Sequence, residues 1–248
     1  TTTDQIGCNG HTGSCVNGPI DDVRVYNRAL SAAEVSSLYL RGGGWQYRRK
    51  LTVASSKVAG PLTDFPVLIS LTDPGLPAKA QASGNDILFT AADGTKLSHE
   101  IEKYDPAPVT GATLVAWVKV PSLSATANTD LYMYYGDAAA SDQQDPAGVW
   151  DGNFKGVWHL KENPGGAAPQ MKDSTSNAKH LTKVGSPTQT TGRIGDGLNN
   201  PDGAYVSNTS FSGVAGYPFT LSVWTAVTGY VTGSSGTVDL SLGTTDTS

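Results

Sequence analysis

The sequence predicts an all-β protein of two β-sandwich units with one short helix, on three observations. The chain of 248 residues contains 29 glycines and 14 prolines, and only 16% of its residues are charged. This composition is typical of turn-rich β proteins. Strand-like stretches recur along the chain, and a single segment has the spacing of a helix. The length allows one large or two small domains.

The predicted strands are short and are mostly bounded by Gly, Pro, Asp or Asn. In two of them, 114–120 and 131–135, the residues on both alternating faces are largely apolar or aromatic, as in the central strands of a sandwich. The predicted strands are 22–26, 49–53, 65–71, 86–90, 113–120, 131–135, 205–208 and 219–227.

The predicted helix covers residues 31–40. Ser31 can cap its first turn, and Glu34 stands three residues further on, as in a capping box. Three consecutive glycines at 42–44 end the helix and mark the first domain boundary. Softer boundaries fall at 137–148 and 163–169, so the sequence predicts the segments 1–41, 45–149 and 150–248.

Charge and hydropathy exclude two classes of partner. The formal net charge is −5, and the 17 basic residues are scattered rather than clustered, so we expect no nucleic-acid partner. No apolar run approaches the roughly 20 residues that cross a bilayer, so we expect no membrane segment in this chain. Residues 1–4 do not resemble an export signal, although a trimmed secreted fragment would look the same.

The two cysteines, Cys8 and Cys15, flank a loop of small residues that can fold tightly. We predict one disulfide closing this loop, which favours an oxidising, extracellular compartment. The alternatives are a metal site that also includes His11, and free thiols.

A family resemblance rests on four motifs. The run GPIDDVRVYNRALSAAEVSSLY at 18–39 resembles the closing strand and short helix of bacterial LamG-like jelly rolls of the concanavalin A-like class. The opening of the same family is resembled by GVWHLKE at 156–162, DSTSNAKHL at 173–181 and FTLSVWTAV at 219–227. Between them, 45–137 resembles an uncharacterised domain that commonly precedes LamG-like modules in large bacterial surface proteins.

The resemblance implies a jelly roll in two pieces, with the closing segment in 1–41 and the opening part in 150–248, on either side of a β-sandwich domain at 45–149. The middle strands of the jelly roll have no counterpart here. Three explanations stay open. The chain is a window from a tandem array, or the two pieces pack together as a permuted sandwich, or complementary halves join between successive subunits and form a filament.

Glu100 and Glu102 are the candidate catalytic residues. On a strand, both project from one face about 7 Å apart at Cα, which can bring the carboxyl groups near the roughly 5 Å separation of a retaining glycosidase. The alternative interpretation is a solvated strand face on which Lys103 neutralises the acids.

Calcium is the predicted cofactor, because hard cations prefer oxygen ligands. Asp173, Ser174 and Asn177 form an oxygen-rich turn. The family resemblance implies calcium where this turn meets an acid of the closing strand, Asp21 or Asp22. In the alternative, Asp173 only starts a turn.

Tyr132 and Tyr134 are the candidate ligand-binding residues, because sugar rings stack on flat aromatic faces. Alternation places them on one face of a strand and Met133 and Tyr135 on the other. Nucleophilic catalysis has no supporting motif, and His159 is interpreted as a structural residue.

We therefore predict a non-catalytic module of an extracellular bacterial surface protein that binds glycans or mediates adhesion. One alternative is a structural subunit whose partners are neighbouring copies of the same protein, in a head-to-tail filament or tandem array. A further alternative is a glycoside hydrolase that uses Glu100 and Glu102.

Overall fold

A computed structural model describes residues 18, 23–31, 34, 35, 38, 44–107, 111–210 and 218–226. These residues confirm the all-β prediction, since they form antiparallel sheets, and the short helix that they include in full is α1 (Pro146–Val149). The strands are β1 (Tyr47–Val53), β2 (Leu62–Asp73), β3 (Leu88–Ala91), β4 (Lys96–Leu97), β5 (His99–Asp105), β6 (Ala112–Leu123), β7 (Thr129–Tyr135), β8 (Thr182–Val184), β9 (Thr188–Thr191), β10 (Asp196–Asn199) and β11 (Tyr205–Ser207). A 3-10 turn covers Ser55–Lys57.

Two sheets form the sandwich. One has the strand order β1-β7-β3-β4 and the other the order β2-β6-β5, and all pairings are antiparallel. Apolar side chains from both sheets meet in one core, as expected when two sheets pack face to face. The fully buried members of this core include Phe89, Met133, Leu114 and Val118.

The two strands with apolar residues on both faces lie in the middle of their sheets. Strand β6 pairs with β2 on one side and β5 on the other, and β7 lies between β1 and β3. Met133 and Tyr135 point into the core, and Tyr132 and Tyr134 lie on the opposite face, which confirms the alternation predicted for β7.

The predicted capping box is present at the start of the predicted helix. The Ser31 backbone N–H donates to the Glu34 carboxylate at 2.9 Å, and the Glu34 backbone N–H donates to the Ser31 hydroxyl at 3.3 Å. Of the remaining predicted helix, the described residues Glu34, Val35 and Leu38 are helical.

Two predicted strands are absent from the described part of the chain. Residues 23–26 and 219–226 join no ladder there, although their sequences alternate like strands. Val25 is 91% exposed and Trp224 is 69% exposed. A strand needs a hydrogen-bonded neighbour to satisfy its backbone groups, so the alternating sequence alone does not make these segments strands.

Residues 150–208 contain two two-stranded ladders, β8 with β11 and β9 with β10. Sequence analysis predicted only β11 of these four, because the other three are short and rich in Thr, Gly and Asn. No helix among the described residues is long and apolar enough to cross a membrane.

The core predicts a large cost for truncating a central side chain. Leu114 is fully buried on β6, so Leu114→Ala should lower the free energy of unfolding by about 3 kcal/mol, measured by urea denaturation. Thr72→Ala on the exposed side of β2 is the control and should change it by less than about 0.5 kcal/mol. Equal effects of the two substitutions would contradict this assignment of the core.

Candidate functional site

Strand β5 carries Glu100 and Glu102 on the face of its sheet that points away from the core. Its pairing with β6 shifts register between Ile101 and Lys103, so Glu102 is an extra residue in a β-bulge. Because of this bulge, Ile101 and Tyr104 both pack against the core although three positions separate them. The two carboxylates are thereby directed to the same side, towards residues that follow the sandwich in the chain.

The imidazole of His159 lies between the two carboxylates. Its Nε2 atom is 3.1 Å from Glu100 Oε2, and its Nδ1 atom is 3.2 Å from Glu102 Oε2. The side chains of all three residues are less than one tenth exposed. We call these three residues the Glu–His–Glu network.

Further donors complete the coordination of Glu100. Trp150 Nε1 donates to Oε2 at 2.7 Å, and the Ser174 hydroxyl donates to Oε1 at 2.8 Å. Lys161 Nζ lies 3.4 Å from the same Oε1 and donates to the carbonyl of Ile101 at 3.0 Å. Hydrogen bonds that involve an ionised group are the stronger kind, so the donors around Glu100 favour its carboxylate form.

Glu102 is held by a second tryptophan. Trp117 Nε1 on β6 donates to Glu102 Oε2 at 2.6 Å. The Trp117 ring also stacks against His159, with 6.1 Å between centroids, and meets the Trp150 ring edge-on at 5.3 Å. The two indoles therefore both donate to the carboxylates and exclude water from the imidazole.

Electrostatics favour charged forms at this site despite burial. Burial alone would lower the pKa of His159, but its hydrogen bonds to Glu100 and Glu102 and their charges outweigh burial and raise the pKa to about 9. Burial would raise the pKa of Glu100, but the hydrogen bond and charge of His159, together with the charge of Lys161 and the hydrogen bond from Trp150, lower it to about 2.

The structure corrects the interpretation of this strand as a solvated face. Glu100 and Glu102 are buried, and Lys103 does not neutralise them, because its ammonium pairs with Asp196 at 2.7 Å. The turn between β9 and β10 closes over Glu102. Gly195 has a φ of +55°, and a Cβ there would lie 2.8 Å from Glu102 Oε1, so this position requires glycine.

The two candidate calcium ligands that the structure describes belong to a hydrogen-bonded turn. The carboxylate of Asp173 accepts from the backbone N–H groups of Val157, Thr175 and Lys179 and from the Thr175 hydroxyl, at 2.9 to 3.0 Å. Asn177 donates to the carbonyls of residues 154 and 155. Donors therefore surround the Asp173 carboxylate, and calcium at this turn stays a prediction.

Other predicted site residues lie outside the described residues. These are Asp21 and Asp22, which were expected to add to the calcium site, and Cys8 and Cys15, which were expected to form a disulfide.

The tyrosines Tyr132 and Tyr134 lie on the outer face of the other sheet. Tyr134 is buried in a small cluster with Trp45 and Leu88, whereas Tyr132 is partly exposed. The Arg48 guanidinium lies 4.6 Å above the Tyr132 ring. Beside them is a cavity of about 200 Å³ that is also lined by residues 91–94 and Glu34.

Sequence reasoning did not join Glu100 and Glu102 to His159, Lys161 and Ser174. Partners more than fifty positions away leave no periodic signal, and the resemblance of 156–162 to another module placed His159 in a separate unit. The available signal was the pair of glutamates in a chain with five tryptophans, since buried indole N–H groups need acceptors.

A second histidine, His99, is buried in the sandwich next to Phe89, with 5.2 Å between ring centroids. Among the described residues, neither of its ring nitrogens has a hydrogen-bond partner. Burial lowers the pKa of His99 to about 4, so it is neutral at pH 7.

Comparison with known proteins identifies one family. Residues 83–159 match the model of a family described as Domain of unknown function (DUF2341). No curated protein and no solved structure matches the chain. The matched segment overlaps the central sandwich and includes all three members of the Glu–His–Glu network, whereas Lys161 and Ser174 follow it.

The burial of His99 predicts acid sensitivity. A histidine whose pKa is depressed in the folded state contributes stability that is complete above about pH 6.5 and is lost as the pH falls through about 4. When the pH falls from 7 to 5, we expect the free energy of unfolding of the wild type to decrease by about 2 kcal/mol relative to that of His99→Leu. Urea denaturation at both pH values measures it, and a constant difference would contradict the assignment.

Proposed function

We propose that the chain is a non-catalytic module of an extracellular bacterial surface protein that binds glycans or mediates adhesion. The observation that carries this proposal is that the carboxylates of Glu100 and Glu102 are buried and already hydrogen-bonded to side chains of the protein. Both glutamates of a retaining glycosidase must reach the sugar, whereas Glu100 and Glu102 share one buried imidazole and two indole donors. A group held in this way supports the fold more readily than a reaction.

The outer face around Tyr132 supports the glycan-binding part of the proposal. A partly exposed tyrosine, the Arg48 guanidinium and the carboxylates of Asp93 and Glu34 lie around one cavity of about 200 Å³. An aromatic surface beside a few polar groups is typical of small-ligand sites.

Binding to a glycan array tests this proposal. We expect the wild type to bind at least one glycan, and Tyr132→Ala to weaken that binding by roughly tenfold through loss of the ring contact. Tyr205→Ala, at an exposed tyrosine on β11, is the matched control and should bind like the wild type. Absence of any bound glycan, or equal binding by the two variants, would count against a glycan site at Tyr132.

Hydrolysis assays on the same glycans test the non-catalytic part. Turnover by the wild type that disappears in a folded Glu100→Gln variant would establish the glycoside hydrolase instead.

A second function, self-assembly of neighbouring copies, is favoured by the two exposed strand-like segments. These segments, 23–26 and 219–226, include large apolar side chains that are at least half exposed, among them Val25, Leu221 and Trp224. Exposed strands of this kind are templates for pairing with another chain.

Light scattering as a function of concentration tests self-assembly. We expect the mass to grow well beyond 25.8 kDa. Leu221→Lys should prevent this growth, because it places a charge among the exposed apolar side chains of residues 219–226. Thr220→Lys, on the alternate face, is the control and should assemble like the wild type. A mass that stays at one chain across all concentrations would exclude this function.

A further inference from the structure

Residues 150–208, here called the docked segment, have little apolar core of their own. Both apolar clusters of the described protein lie within the sandwich, between positions 45 and 135. In the docked segment the buried hydrophobic side chains are Trp150 and Met171. Apart from the contact between Trp150 and Trp117, hydrophobic burial therefore contributes less to holding this segment than it does to the sandwich.

Polar contacts to β5 hold the docked segment instead. His159 contacts Glu100 and Glu102, Ser174 donates to Glu100, and Lys161 donates to the carbonyl of residue 101. Asp196 pairs with Lys103 on the same strand at 2.7 Å. Strand β5 thus receives polar or charged contacts from four separate positions in the segment, and Lys119 on the neighbouring β6 pairs with Asp151 at 3.6 Å.

The geometry of the imidazole requires its charged form. Nδ1 and Nε2 each face a carboxylate oxygen at hydrogen-bond distance. A neutral imidazole carries one N–H and one lone pair, so it can donate to only one carboxylate and turns its lone pair towards the other. When both glutamates are carboxylates, only the imidazolium can donate to both of them.

We propose that the Glu–His–Glu network is a proton-dependent latch, in which charged His159 fastens the docked segment to β5 and loss of its proton releases the segment while the sandwich stays folded.

The charges around His159 balance only when the latch is closed. Glu100 and Glu102 approach it from β5, and Lys161 supplies a second positive charge from its own segment. Trp117 and Trp150 complete the surroundings with neutral rings. Deprotonation leaves two buried carboxylates opposite one ammonium group, and an unpaired buried charge is strongly unfavourable.

The direction of the pH dependence follows from linkage. The pKa of His159 is about 9 in the docked state, because the two carboxylates outweigh burial, and about 6.5 when the segment is released. Docking is therefore complete below about pH 6.5 and is lost as the pH rises through about 9. Between pH 6 and pH 8 these values weaken docking roughly twentyfold.

Hydrogen–deuterium exchange of the full chain at pH 6 and pH 8 tests the latch. After correction for intrinsic exchange rates, we expect amides in 157–181 to exchange roughly tenfold faster or more at pH 8. Amides of β6 and β7 should keep their protection at both pH values, which also shows that the sandwich stays folded.

Two variants separate the latch from general weakening. His159→Gln should expose 157–181 equally at both pH values, because glutamine does not titrate. Asp196→Asn is the matched control, since it breaks the pair with Lys103, which joins the same two regions. It should weaken docking at both pH values and leave the pH dependence in place.

Three results would overturn the latch. They are unchanged protection of 157–181 between pH 6 and pH 8 in the wild type, loss of protection in β6 and β7 together with it, and a pH dependence that persists in His159→Gln.

Discussion

Two buried carboxylates on one strand form the constraint on which the rest of this structure depends. Glu100 and Glu102 lie on the outer face of a sheet whose inner face is fully committed to the core. Burying them requires opposite charge and several donors, of which the sandwich itself supplies the Trp117 indole and the docked segment supplies Trp150. His159, which comes later in the chain, supplies the opposite charge, and this attraction favours the folding of its segment over β5.

The protein therefore combines two kinds of cohesion. The sandwich is held by contiguous apolar burial between its sheets. The docked segment is held by charges and hydrogen bonds, as its saturated Asp173 turn illustrates. In the proposed surface module, the sandwich is therefore the rigid part of the chain, and the docked segment beside it is the adjustable part.

Much of the sandwich follows from local sequence, because strands buried on both faces leave a clear apolar pattern, as in 114–120 and 131–135. The environment of Glu100 does not follow, since a bulge and partners more than fifty positions away decide it. Strands β8 to β10 are too short and polar to leave a period. For residues 219–226 the periodicity predicts a strand that the structure does not contain. A strand also depends on a neighbouring strand, and sequence periodicity does not show whether one is present.

The bulge at Glu102 has a consequence for how such a chain can change over time. It adds one residue to β5. This residue determines which face of the sheet each later side chain of the strand occupies, and it directs Tyr104 towards the core. Deleting one residue here would turn Tyr104 to the outer face, whereas substitutions at the same position leave the phase intact. Length in this stretch is therefore restrained in addition to side-chain identity, and insertions or deletions in related sequences should fall in the loops on either side of it.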